Sequence, residues 1–166
     1  MKLQPWWMLS VVLAAPMLAR AAPPITCVDY RGIEVREVPD YFLRDAAVAN
    51  VLPNGEPVIL YQPLLSGVVS DQTKWFIFAH ECAHHVLGHT TEQVRAGNEQ
   101  EADCWAISTL YKRGILDDRG VKIVQNELAA TGRADATHLS GVERAVNLDR
   151  CLVAVRREEL IHTAER

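Results

Sequence analysis

The pattern of apolar and polar positions changes near residue 70. Before that point, apolar residues occur in short runs, as in GIEVREV (32–38) and AAVANVLPNGEPVILY (46–61). Alternation of apolar and polar residues has the period of a β-strand, and the Asn54-Gly55 pair favours a tight hairpin turn. This part of the chain therefore predicts short strands, of which the last two form a hairpin.

Beyond residue 70 the apolar positions recur with helical spacing. The pattern predicts four helices, over about 71–88, 91–113, 118–131 and 140–157. Asp71 or Thr73 is the expected N-cap of the first helix. Ser140 and Glu143 have the spacing of a capping box, which predicts that the fourth helix starts there. Strands followed by helices indicate an α+β fold.

The N-terminal stretch MKLQPWWMLSVVLAAPMLARA (1–21) has the composition of a secretory signal peptide. Lys2 precedes an apolar run over 6–18, and an A-x-A cleavage pattern follows at 19–21. The run is short for a membrane span of about 20 residues, and Pro16 interrupts it. We therefore expect a signal peptide over 1–21, a single domain over 22–166, and a periplasmic or secreted protein with no transmembrane segment.

The charge balance argues against nucleic acid as a partner. Loss of Lys2 and Arg20 with the signal peptide reduces 17 basic residues to 15, against 21 acidic ones, so the net charge changes from −4 to −6. An acidic domain without a basic cluster is a poor binder of phosphate backbones.

The segment HECAHHVLGHT (80–90) contains four of the six histidines. His80 and His84 are four residues apart, so a helix places them on one face, where both imidazoles can bind one Zn²⁺. Glu81 can lean over the open side of the same ion as a general base, which is the HExxH arrangement. His85 and His89 have the same spacing, but we interpret them as flanking residues because Gly88 interrupts the helix between them.

The segment NEQEADCWA (98–106) offers a third ligand. A catalytic zinc ion usually has three protein ligands and one open position, and Glu99 can complete this set for one Zn²⁺ per chain. Asp103 lies on the same helix face and is expected to hold the far ring nitrogen of a zinc-bound histidine. Glu101 is the competing ligand, although it points to a different face from Asp103.

These two motifs resemble those of the gluzincin metallopeptidases. The Ala102-Asp103 pair is more similar to the CAAX prenyl protease and HtpX-like group, and THLSGVER (137–144) is similar to that group's Thr-His-Pro-x-x-x-x-Arg segment, with Leu139 in place of proline. The resemblance covers about residues 75–150. It implies a small zincin-like domain in which His138 and Arg144 flank the zinc as catalytic residues. His138 would stabilise an oxyanion, and Arg144 is a second candidate for that role.

The resemblance further implies an exported zinc endopeptidase that acts on peptides or proteins. Glu81 would take the proton of the attacking water and pass it to the leaving amine. In this fold class an extended peptide commonly pairs with an exposed sheet edge, and PVILY (57–61) is the candidate strand. A catalytically silent zinc scaffold or adaptor and a metal-free binding module are the alternatives; the presence of Glu81 favours catalysis over the scaffold.

The four cysteines all follow the signal peptide. An even number in an exported chain suggests two disulfides with three possible connectivities. We favour Cys82 with Cys104, which would tie together the two zinc-binding helices, and Cys27 with Cys151, which would tie the mature N-terminus to the last helix.

Overall fold

The computed structural model describes residues 24–91, 97–130 and 139–164. The strands are β1 (Arg36–Pro39), β2 (Ala47–Val51) and β3 (Pro57–Tyr61). The helices are α1 (Pro63–Ser66), α2 (Asp71–Val86), α3 (Asn98–Lys112), α4 (Asp118–Ala130) and α5 (Gly141–Ala164). A three-stranded sheet followed by five helices confirms the predicted α+β fold.

The sheet has the order β1-β3-β2, with β3 parallel to β1 and antiparallel to β2. The predicted hairpin between β2 and β3 is present, and Gly55 supplies the positive φ of 84° that its turn requires. Val58 and Ile59 of β3 are almost fully buried, as expected for a strand covered on both faces. PVILY is thus the central strand, so the prediction that it offers a free edge is wrong. Strand β2 lies at an edge of the sheet, and no described strand pairs with its outer side.

Helix α2 is capped by Ser70, which corrects the predicted caps Asp71 and Thr73. The Thr73 N–H donates to Ser70 Oγ over 3.3 Å, and the Ser70 hydroxyl donates to Glu127 of α4 over 3.0 Å. The same serine therefore caps the N-terminus of α2 and also bonds to α4. A local sequence pattern does not reveal the second contact.

Helices α3 and α5 begin at defined signals. Gly97, with φ 106°, lies in the left-handed region directly before α3, so this helix starts at Asn98 rather than near residue 91. The predicted capping box of α5 is confirmed, because Ser140 N–H donates to Glu143 Oε2 (3.0 Å) and Glu143 N–H donates to Ser140 Oγ (3.3 Å). The helix continues to Ala164, beyond the predicted end.

Helix α2 lies between the sheet and the other long helices, in contact with β2, β3, α3 and α4. Its Phe76 is fully buried against a core that includes Ile107 and Leu110 of α3. On the sheet side, buried His85 donates from Nε2 to the Val58 carbonyl over 3.0 Å. Both faces of α2 are therefore fixed, and with them the direction of every side chain it carries.

The cysteines pair as Cys27–Cys82 and Cys104–Cys151. The two disulfides confirm that all four cysteines are bridged, but the expected pairing, Cys82–Cys104 with Cys27–Cys151, is wrong.

The faces of α2 and α3 explain the observed pairing. His80 of α2 contacts Asp103 of α3, and Cys82, two residues on from His80, lies about 200° around the helix from it. Cys82 therefore faces away from α3, toward the segment before β1 that carries Cys27. Cys104 is turned by about 100° from Asp103, toward α5.

Within the described ranges, no helix is long and apolar enough to cross a membrane. The predicted signal peptide lies outside those ranges, and the single domain over 22–166 stays a prediction.

Peptide mapping of the oxidised protein is expected to recover one peptide pair joined through Cys27–Cys82, another through Cys104–Cys151, and no free thiol. Because the bridges close similar separations of 55 and 47 residues, replacing either pair by serine should lower the free energy of unfolding by about 2–4 kcal/mol in denaturant titrations. A peptide that joins Cys82 to Cys104 would contradict this pairing.

Candidate metal centre

Helices α2 and α3 bring three metal-ligating side chains together. The Nε2 atoms of His80 and His84 are 3.2 Å apart, and the Glu99 carboxylate places Oε2 at 3.2 Å from His80 Nε2 and Oε1 at 3.3 Å from His84 Nε2. One ligand atom from each residue lies within 4.8 Å of the others. Among the described residues, these three form the one group of this kind.

The burial of the cluster changes from one side to the other. The His80 side chain is only 2% exposed, whereas those of His84 and Glu99 are 12% and 15% exposed. The cluster thus lies at the border of the core, with one side open to solvent. A catalytic metal needs this kind of access, because one coordination position must remain available.

The Glu99 carboxylate contains a buried oxygen without a hydrogen bond. Its Oε2 is 3.2 Å from His80 Nε2 but makes no hydrogen bond. A buried carboxylate oxygen without a partner is costly. A cation between the imidazole nitrogens and the carboxylate would satisfy it, so the three residues fit a metal ion on their own chemistry.

Asp103 fixes the orientation of His80 from behind. Its Oδ1 is 2.9 Å from His80 Nδ1, and the residue is fully buried. A proton on Nδ1 leaves the Nε2 lone pair directed at the cluster. Arg144 of α5 donates to the same oxygen from Nη2 over 2.7 Å, and its guanidinium carbon lies 5.5 Å from the centre of the Phe76 ring.

The charges of the site favour a cation. Burial and the charge of Arg144 lower the pKa of His80, but Asp103 and Glu99 outweigh them and raise it to about 9. Burial raises the pKa of Glu99, but His80 and His84 hold it well below its usual range. With His80 in the neutral form that binds a metal, the carboxylates of Glu81, Glu99 and Asp103 and the guanidinium of Arg144 leave two negative charges, which a divalent cation would neutralise.

Glu81 lies between α2 and the open edge of the sheet. Its Oε2 accepts a hydrogen bond of 2.7 Å from the Ala49 N–H of β2, and the residue is 5% exposed. In the antiparallel pairing, Gln62 donates to Ala46 and Leu52 donates to Glu56. Even-numbered positions of β2 therefore bond to β3, and odd-numbered ones, including Ala49, direct their backbone groups outward.

The remaining histidines of the segment differ in their environment. His85 is buried against β3, outside the metal cluster, and burial lowers its pKa. His89 also lies outside the cluster, but its Nδ1 is 3.0 Å from His84 Nδ1 and its Nε2 is 3.3 Å from Glu101 Oε2. Sequence reasoning missed these two contacts. The signal that could have revealed them is Gly88, whose φ of 77° turns the chain back at the end of α2.

The structure places Arg144 on Asp103, the residue predicted to lie behind a zinc ligand, and places Glu101 at the surface, with its side chain 68% exposed. His138 lies outside the described residues. The roles of all these residues stay predictions.

A sequence model of Peptidase family M48 matches residues 35–98, which is less than half of the chain. The matched part runs from just before β1 to the first residue of α3 and includes His80, Glu81 and His84. This family is zinc-dependent, and the match supports a zinc metallopeptidase. No curated protein and no solved structure matches the chain significantly.

Removal of Glu99 is expected to abolish most zinc binding, because it deletes the carboxylate that faces both imidazoles. Zinc content measured after dialysis should fall in Glu99→Ala, His80→Ala and His84→Ala. Glu101→Ala is the comparison variant, since it removes an identical side chain that lies two residues away and outside the ligand cluster. It should retain most of the metal, with an affinity lowered by no more than a few-fold. Loss of zinc from Glu101→Ala with retention in Glu99→Ala would reverse the ligand assignment.

Zinc affinity is expected to rise with pH. Because the pKa of metal-free His80 is raised to about 9, its imidazole carries a proton on both ring nitrogens at neutral pH. The proton on Nε2 must leave when a metal binds there. Chelator competition should therefore show about a tenfold gain in affinity per pH unit between pH 7 and 9, and a plateau above. An affinity that is constant over this range would contradict the raised pKa.

Proposed function

We propose that the protein is an exported zinc endopeptidase of the gluzincin type, similar to the CAAX prenyl protease and HtpX-like group. The observation that carries this proposal is the buried Glu99 oxygen, which lacks a hydrogen bond and faces the Nε2 atoms of His80 and His84. The match to Peptidase family M48 supports the zinc-metallopeptidase part of this proposal.

His80, His84 and Glu99 would hold one zinc ion per chain, in keeping with the two negative charges of the site. When bound, zinc would supply a Lewis acid that polarises a carbonyl and lowers the pKa of a water to about 7. Asp103 keeps the proton of His80 on Nδ1. Arg144 holds Asp103 in place over 2.7 Å, so we assign it a positioning role.

Glu81 is the proposed general base. It accepts the proton of the water that attacks the peptide carbonyl and passes it to the leaving amine. Its carboxylate is held by the Ala49 N–H at the sheet edge, which places it beside the strand along which a substrate would lie. His138 is the proposed oxyanion donor, on the resemblance of its segment alone.

The open edge of β2 is the proposed place for the substrate backbone. The outward N–H and carbonyl of Ala47 and the outward carbonyls of Ala49 and Val51 can pair with an extended peptide, as in other cases of strand addition. The Ala49 N–H is already bonded to Glu81, and the Val51 N–H to Asn50 Oδ1. A segment lying along an edge continues past both ends of the strand, which suits cleavage within a longer chain. The two disulfides are consistent with export of the protein to an oxidising compartment.

Glu81→Gln is expected to separate catalysis from metal binding. Glutamine keeps the size of the side chain and can still accept the Ala49 hydrogen bond, but it cannot take a proton from water. Zinc content and thermal unfolding should stay near wild type, while hydrolysis of a peptide or casein substrate falls by about 10²–10⁴-fold.

Two other outcomes of this comparison would count against the proposal. Full activity of Glu81→Gln with full zinc would exclude Glu81 as the base. A wild-type protein that binds zinc stoichiometrically, but cleaves no member of a broad peptide library, would favour the silent zinc scaffold.

A further inference from the structure

We propose that His89 and Glu101 are positioning residues that orient His84 for metal binding. The inference rests on the proposed zinc site, but it concerns metal affinity and does not require that the protein be a peptidase. His89 lies just beyond the end of α2, and Glu101 lies in the first turn of α3. Neither belongs to the group of atoms that face the metal position.

The contacts form a continuous chain from the surface to the ligand. Glu101 Oε2 is 3.3 Å from His89 Nε2, and His89 Nδ1 is 3.0 Å from His84 Nδ1. The exposed fraction of the side chains falls from 68% for Glu101 to about 10% for His89 and His84. The inner contact is therefore shielded from water, which would otherwise compete for the ring nitrogens.

The positions of the protons follow from the role of His84. Its Nε2 faces His80 Nε2 and the Glu99 carboxylate, so a metal ligand at this atom requires a free lone pair there and a proton on Nδ1. His89 Nδ1 then accepts this proton in a hydrogen bond. The remaining proton of a neutral His89 lies on Nε2 and is donated to Glu101. One arrangement of protons thus satisfies all three residues.

The backbone holds His89 in this place independently of the rings. Gly88 adopts a φ of 77°, and the His89 N–H donates to the His84 carbonyl over 2.8 Å. Thr91 closes the same turn, because its hydroxyl donates to the Gly88 carbonyl over 2.8 Å. The rings of His84 and His89 meet edge to face at 5.2 Å between centres. The backbone turn at the end of α2 therefore places the His89 ring against His84.

The two ligand histidines are then supported in different ways. His80 is held directly by the fully buried Asp103, whereas His84, on the open side, is held through a second imidazole. In both cases a group behind the ligand fixes which ring nitrogen faces the metal, a property that usually changes metal affinity by about 10–100-fold when it is lost.

The test compares variants of the full, disulfide-bonded chain. Zinc dissociation constants are measured by competition with a chromogenic chelator, and visible spectra are recorded after Co²⁺ loading. His89→Ala is expected to weaken zinc binding by about 10–100-fold and to alter the Co²⁺ spectrum. His89→Asn keeps an acceptor near the position of Nδ1 and should restore most of the affinity. Glu101→Gln should weaken binding by only a few-fold.

Thr163→Ala is the control, since it also removes a threonine hydroxyl that donates to a backbone carbonyl, that of Glu159 within α5, and it touches none of the residues of the site. Its affinity and spectrum should equal those of wild type. Wild-type affinity in His89→Ala would overturn the proposal. Equal losses in His89→Asn and His89→Ala would also overturn it, because they would indicate packing rather than a hydrogen bond. If wild type binds zinc with the expected variant series but hydrolyses nothing, the peptidase assignment fails and this inference stands.

Discussion

One fully buried carboxylate, that of Asp103, joins the three helices that carry the site. An unpaired charge in such a place would cost several kcal/mol, so its partners are part of the fold. Asp103 belongs to α3, and it is met by His80 from α2 and by Arg144 from α5. The same contacts that make the burial tolerable therefore fix the crossing of α2 and α3. That crossing decides where Glu99 lies relative to the two imidazoles.

The site also depends on a gradient of polarity. Its inner side, at His80, is shielded by Phe76 and the core, and its outer side, at Glu101, lies in solvent. The inner groups are strongly coupled, because little water is present to screen their charges. On the outer side, screening is stronger, and geometry has to come from directed contacts such as the turn at Gly88. The side chains on the inner side are thus oriented mainly by electrostatic coupling, and those on the outer side by directed contacts.

Local features of the structure were predictable from the sequence, and those that depend on which elements face one another were not. The hairpin at Asn54-Gly55 and the capping box at Ser140 are encoded within a few residues. The central position of β3 depends on pairing with β1, some twenty residues away. The expected disulfide pairing is wrong because Cys82 lies on the side of α2 opposite to the one that His80 turns toward α3. The contact between His84 and His89 arises only after the helix has ended.

The two disulfides divide the described elements into two covalently joined groups. One bridge ties the segment before β1 to α2, and the other ties α3 to α5, so neither crosses the contact between α2 and α3. That contact is where His80 and His84 face Glu99. A bound cation would add a third, reversible cross-link, this one between the two groups. Without it, the two groups are held together by the chain itself, by packing and by polar contacts such as those of Asp103 and that of His89 with Glu101. Loss of the metal would therefore also weaken the attachment of α2 to α3.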